Sequence, residues 1–324
     1  MRQARGESNI SEDVADLPHK ASRLLNHLRT RGASVVMATP PWSNGTCNSA
    51  VLRGPRHKSA QDEREFVFEE ILDFCAQGYW AVLPYDAVRH CWADLRLSPL
   101  GVVPQRDRRP RLLVDYSHSG VNQDTVPLAP KDSMQFGLAF QRVVTKVVDS
   151  DPRYGPVQLA KIDIADGFYR VWLQTRDMQK LGVVLPTSPG QPPLIAFPLV
   201  LPMGWVESLP YFTALTETAC DLSNNHLRRR SSQRPHSTVH RLEAVAATPP
   251  EADTIADVAT SEITTASLQR HHPRRPPTAA VDIYVDDFSP VSANPAPENR
   301  SVASGTELHR RRLSSPQLYR SATS

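Results

Sequence analysis

Tyr284-Val285-Asp286-Asp287 sits within the run Ala280-Val281-Asp282-Ile283-Tyr284-Val285-Asp286-Asp287-Phe288, so adjacent carboxylates stand among apolar, β-prone residues. That pattern predicts a strand that runs into a tight hairpin with an acidic tip. Two like charges at one turn repel, and divalent cations are a common way to neutralise them. An ordinary acidic surface turn is the alternative reading of the tetrapeptide taken alone. A second acidic strand end upstream, Leu159-Ala160-Lys161-Ile162-Asp163-Ile164-Ala165-Asp166-Gly167-Phe168-Tyr169, shifts the balance. Two strands delivering carboxylates to one place suit two-metal phosphoryl transfer, in which cations about 4 Å apart share oxygen ligands.

Such strands need a scaffold, and the chain supplies candidates in order. Residues 1–60 read as a loosely ordered leader with one helix from Ser11 to Leu28. Gln61 to Ala76 has the spacing of an amphipathic helix, with Phe68, Ile71, Leu72 and Cys75 on one side and Gly78 as its stop. Strands are expected at Tyr79–Leu83, Leu97–Val103 and Arg111–Tyr116, the last two joined by a basic loop from Pro104 to Pro110. Met134 to Val148 reads as a second helix with an apolar stripe of Met134, Leu138, Val144 and Val148. Val157 to Ile164 is the strand that carries Asp163. Leu181–Leu185 and Leu194–Val200 form a hairpin, and Glu207 to Leu222 is a helix with Leu209, Phe212, Leu215 and Ala219 inward. The expected class is α+β.

Composition narrows the function classes. The chain has 324 residues, enough for a sizeable core, and a formal charge of +3, which suits a nucleic-acid binder without requiring one. Cys47, Cys75, Cys91 and Cys220 are too scattered for a zinc site and read as reduced thiols of an intracellular protein, with no disulfide partner. The N-terminus lacks an apolar signal segment, and the longest apolar stretch, Leu194 to Trp205, is too short to span a bilayer. Neither a P-loop nor a Ser/His/Asp arrangement is visible.

Four blocks taken together resemble the reverse transcriptase domain of retroelements, over roughly residues 80–288. They are Arg111-Leu112-Leu113-Val114-Asp115-Tyr116, Asp163 through Phe168, Phe197-Pro198-Leu199-Val200-Leu201-Pro202-Met203-Gly204-Trp205 with Ser208 and Pro210, and Tyr284-Val285-Asp286-Asp287. The resemblance implies a right-hand polymerase with fingers at 61–156 and palm at 157–222 and 281–288. It implies two Mg²⁺ ions bridged by Asp163 and Asp286, with Asp287 assisting and the carbonyl of Ile164 as a further ligand. Arg111 would then hold the incoming triphosphate, and Phe168 would lie under the ribose and exclude a 2′-hydroxyl. Met203 and Gly204 would pack against the nucleotide and template. A core aromatic is the alternative reading for Phe168 and for Trp205. Lys161 and Asp166, flanking the site, read as solvated or salt-bridged. The implied partners are an RNA or DNA template with its primer and deoxynucleoside triphosphates, at no membrane.

Two stretches depart from the family. Residues 223–280 hold eight arginines, six prolines and thirteen Ser/Thr but no aromatic residue, which predicts a disordered insertion. After Phe288, the run Ser289-Pro290-Val291-Ser292-Ala293-Asn294-Pro295 carries two prolines where a return strand is needed, so residues 289–324 read as a disordered, out-of-frame tail. The expected function is therefore RNA-directed DNA synthesis by a truncated retrotransposon polymerase with little activity alone. The alternative is a non-catalytic relic that binds nucleic acid through its basic patches.

Overall fold

The computed structural model describes residues 19–55, 57–150, 156–188, 190–230 and 279–293. In chain order the helices are α1 (Ser22–Thr30), α2 (Asn44–Arg53), α3 (Lys58–Asp62), α4 (Arg64–Ala76), α5 (Tyr85–Val88), α6 (Val121–Asp124), α7 (Ala139–Val148) and α8 (Ser208–Arg230). The strands are β1 (Trp80–Pro84), β2 (Leu97–Ser98), β3 (Leu100–Gln105), β4 (Arg108–Val114), β5 (Val157–Leu159), β6 (Ile162–Asp163), β7 (Gly182–Val184), β8 (Leu194–Pro198), β9 (Ala279–Tyr284) and β10 (Asp287–Ala293). The class is α+β, as expected. Two compact units divide the chain: His27–Ala129 with Asp166–Leu209, and Met1–Asn26 with Pro130–Ala165 and Pro210–Ser324.

In the first unit a four-stranded sheet runs β1-β8-β7-β2, and β3 and β4 form a separate two-stranded sheet. The expected hairpin of β7 and β8 forms, with Val183 opposite Ala196. Cys47, Tyr85, Val88, Leu97, Val184, Ile195 and Phe197 pack into one apolar cluster. The basic loop is shorter than expected. β3 and β4 run on past Pro104 and Pro110, and Gln105 pairs with Arg108 across a turn at Arg106-Asp107. Pro104 is accommodated because the register shifts between Val103 and Gln105, and a bulge is where a strand tolerates a residue without an N–H.

The leader expectation fails from His19 onward. Leu24, Leu28, Ala33 and Val35 are buried, and residues 44–62 form α2 and α3. The expected helix at Ser11–Leu28 is α1, from Ser22; residues before 19 lie outside the described set. In α4 the buried positions are Val67 and Ile71, whereas Leu72 is 66% exposed, so the buried face is rotated from the one the periodicity suggested.

The second unit holds a sheet in which β10 is central, flanked by β9 on one side and by β5 and β6 on the other. The helix expected over Met134–Val148 begins only at Ala139, after two 3₁₀ turns at Lys131–Ser133 and Phe136–Leu138. Its proposed stripe points outward, with Leu138 53% and Val148 75% exposed. Helix α8 runs on to Arg230, and β9 starts at Ala279, so both ends of the expected insertion are structured; residues 231–278 lie outside the described set.

The return strand is the largest correction. β10 passes through Pro290 and reaches Ala293, and it is paired with β9 from Asp287 to Ser292. In an antiparallel ladder the N–H and C=O of one residue point to the same side. Pro290 faces its missing donor away from β9: its carbonyl accepts from Ala160 N at 3.1 Å, between β5 and β6. The register is the same on both sides of that point, with Val291 opposite Leu159 and Asp287 opposite Asp163. Proline thus interrupts the ladder that β10 forms with β5 and β6 and leaves the β9–β10 hairpin whole. Residues 294–324 lie outside the described set.

Candidate metal centre

The acidic hairpin is closed by Val285 and Asp286, since Tyr284 and Asp287 are the last cross-strand pair. Val285 has φ 57°, a left-handed conformation that a β-branched side chain resists. Such strain costs about 1–3 kcal/mol and persists where surrounding structure enforces it. Here the enforcement comes from both neighbours of the turn. Tyr284 packs edge-on against Phe136 at 5.7 Å, and Ile164 N donates to the Asp286 carbonyl at 3.2 Å.

That turn brings Asp286 and Asp287 to Asp163, which lies opposite Asp287 on β6. One oxygen from each of the three carboxylates lies within 4.8 Å of the others. Burial pushes the Asp286 carboxyl above the usual carboxylate range, and the neighbouring charges of Asp287 and Asp163 add to the effect. Lys161, just upstream of Asp163, donates to Asp287 Oδ2 at 2.8 Å, and that hydrogen bond raises its own pKa. The other oxygen, Asp287 Oδ1, is buried and has no hydrogen-bond partner among the described residues. A buried carboxylate oxygen left unpartnered is costly. A donor set made only of carboxylates matches a hard divalent cation such as Mg²⁺ rather than a metal that prefers nitrogen or sulfur. The side chains present therefore fit the expected cation. Ile164 is buried beside them and its N–H is used by Asp286.

Arg111, Phe168, Met203 and Gly204 belong to the other unit. Arg111 is exposed on β4, and Phe168 is half-buried in the 3₁₀ turn Gly167–Arg170. Gly204 has φ 96°, and a Cβ there would lie 2.6 Å from the Val114 carbonyl oxygen, so the absence of a side chain serves a close approach to β4 of the protein itself. Asn122 clasps the same turn, donating to Gly204 O and accepting from Val206 N, both at 2.9 Å. Met203, the residue before this glycine, is exposed. Trp205 is a core residue, 3% exposed, with its indole N–H on Thr125 Oγ1.

Sequence reasoning assigned no role to Asp282, Arg142 or Asn224. Asp282 was the readable one, because a carboxylate in an apolar strand needs a buried cation. Arg142 and Lys146, spaced by one helical turn, supply it. Asn224 lies on the part of α8 that composition assigned to the insertion.

Among the described residues no helix is long and apolar enough to cross a membrane, and all four cysteines are free. Neither a protein-family model nor a curated protein matches the chain.

Proposed function

We propose that the chain is a template-directed nucleotidyltransferase of the reverse transcriptase kind, adding deoxynucleotides to a primer 3′-hydroxyl along RNA or DNA. The observation that supports this reading is the convergence of Asp163, Asp286 and Asp287 at the paired strands β6 and β10 and the β9–β10 turn, with Asp287 Oδ1 buried and unpartnered among the described residues. In this reading the three carboxylates hold Mg²⁺. Bound divalent cations would lower the pKa of the attacking hydroxyl and offset the charge that develops on the α-phosphate. The protein's own part is positional. The strained turn keeps Asp286 close to Asp163, and in the other unit Arg111 is an exposed, planar and permanently charged group of the kind that suits a phosphate.

One observation favours the non-catalytic alternative. Arg106, Arg108 and Arg111 are all exposed on the β3–β4 hairpin, a footprint suited to sequence-independent contact with phosphates. Primer extension and filter binding with the full chain, at low and physiological salt, separate the two. Mg²⁺-dependent extension abolished by Asp163→Asn and by Asp286→Asn supports synthesis. Salt-sensitive binding without extension supports the relic.

A further inference from the structure

Asp282 is fully buried on β9, in the strand that leads into the acidic turn. Arg142 Nε reaches both its oxygens, at 3.0 and 2.9 Å, while Nη2 donates to Oδ1 at 2.7 Å. Lys146 Nζ donates to Oδ2 at 3.2 Å, and Ile283 N donates to Oδ1 at 2.8 Å. The remaining guanidinium nitrogen of Arg142 donates to the Gln135 carbonyl at 2.8 Å, which anchors the arginine to the turn preceding α7. All these residues belong to one compact unit.

A buried ion pair of this kind is weak evidence for stability, because desolvation cancels much of the attraction. Its better-attested use is to specify one arrangement over another. β9 has an unusual need for that. Its neighbours Ala280, Val281 and Ile283 are all apolar and buried, so hydrophobicity alone discriminates poorly between its two faces. A slip of one residue along β10 would send Asp282 to the opposite face, away from Arg142 and Lys146. The same slip would change the turn and move Val285 and Asp286 within it, taking Asp286 away from Asp163 and Asp287, whose own pairing is set between β10 and β6.

We infer that the Arg142–Asp282–Lys146 cluster is a register pin: it positions the acidic turn for metal binding without itself touching metal or substrate. The metal part of this inference rests on the proposed Mg²⁺ site, whereas the register part does not. An independent clamp on the same strand agrees with it. Val281 N donates to Asn224 Oδ1 at 2.9 Å, and Asn224 Nδ2 donates back to the Val281 carbonyl at 2.8 Å, so one side chain recognises one residue of β9.

The test uses the full chain and the double variant Arg142→Leu/Asp282→Leu. Removing both partners leaves no unpaired buried charge, and the partly exposed Lys146 can turn to solvent, so the melting temperature is expected to stay within a few degrees. Mn²⁺ affinity, read by electron paramagnetic resonance, is expected to fall by about ten- to a hundredfold, the range seen when groups that orient metal ligands are lost. Amide exchange across residues 279–293 is expected to accelerate in the same variant. Arg142→Lys should restore part of the affinity that Arg142→Gln loses. Parent-like Mn²⁺ affinity and parent-like exchange in the double variant would overturn the inference. Should the parent bind no Mn²⁺, the proposed metal site fails, and amide exchange alone decides the register claim.

Discussion

At Val285 the backbone is forced into a conformation that glycine adopts freely. Val285→Gly should therefore relieve strain in the folded chain, though it also widens the unfolded ensemble, and the two effects oppose each other. The net change in melting temperature should be small. Metal affinity should drop all the same, because a glycine no longer holds the peptide between Tyr284 and Asp286 in a single orientation. Isothermal titration with Mn²⁺ beside a thermal melt checks both, and unchanged affinity would show that the turn is fixed by its neighbours alone. Lys161 acts on the same carboxylates from the other direction. Its ammonium occupies Asp287 Oδ2 and would compete with a cation at the proposed site. Lys161→Gln should tighten cation binding several-fold by removing a like charge, while the metal-free chain loses a partner for one of its crowded carboxylates. Weaker binding in that variant would mean that Lys161 orients Asp287 rather than shielding it.

Among the elements, β9 is a sheet edge whose outward backbone groups are met by a side chain. Asn224 satisfies both the donor and the acceptor of Val281. Asn224→Ala should cost about 1–3 kcal/mol, the penalty for leaving buried polar groups without partners. Asn224→Asp should do no better, since it keeps the acceptor but sets a carboxylate against the Val281 carbonyl. Chemical denaturation measures both, and a parent-like midpoint for either would show that water or the Cys220 thiol, which reaches the same carbonyl at 3.3 Å, takes over. These elements also show where sequence reading succeeds. β9 and its acidic tip are legible, because an apolar, β-prone run interrupted by two adjacent aspartates can bury its side chains only by ending in an exposed turn. β10 is not legible. The rule against proline concerns the missing donor, and which way that donor faces depends on a register that no single strand reveals. The exposed stripe of α7 fails for a related reason: periodicity identifies a helix and its apolar side, but the side that packs here is the one bearing Arg142 and Lys146.

At the scale of the molecule, the proposed cation binding would be coupled to folding through the charge of three carboxylates. Asp286 has its carboxyl held above the usual range, so in the metal-free chain it contributes stability while protonated and loses that contribution as pH rises through its folded pKa. Cations at the proposed site would bind the deprotonated set and stabilise the folded chain by mass action. The two effects run in opposite directions with pH. Mg²⁺ should therefore raise the melting temperature clearly at about pH 8 and much less at about pH 5, where protons compete for Asp286. In EDTA the same acidification should bring a gain from this group that Asp286→Asn lacks. Calorimetry of parent and variant, with Mg²⁺ and with EDTA at both pH values, gives the differences needed. An increment that is the same at both pH values, or that survives Asp286→Asn, would place the stabilising cation away from the acidic turn.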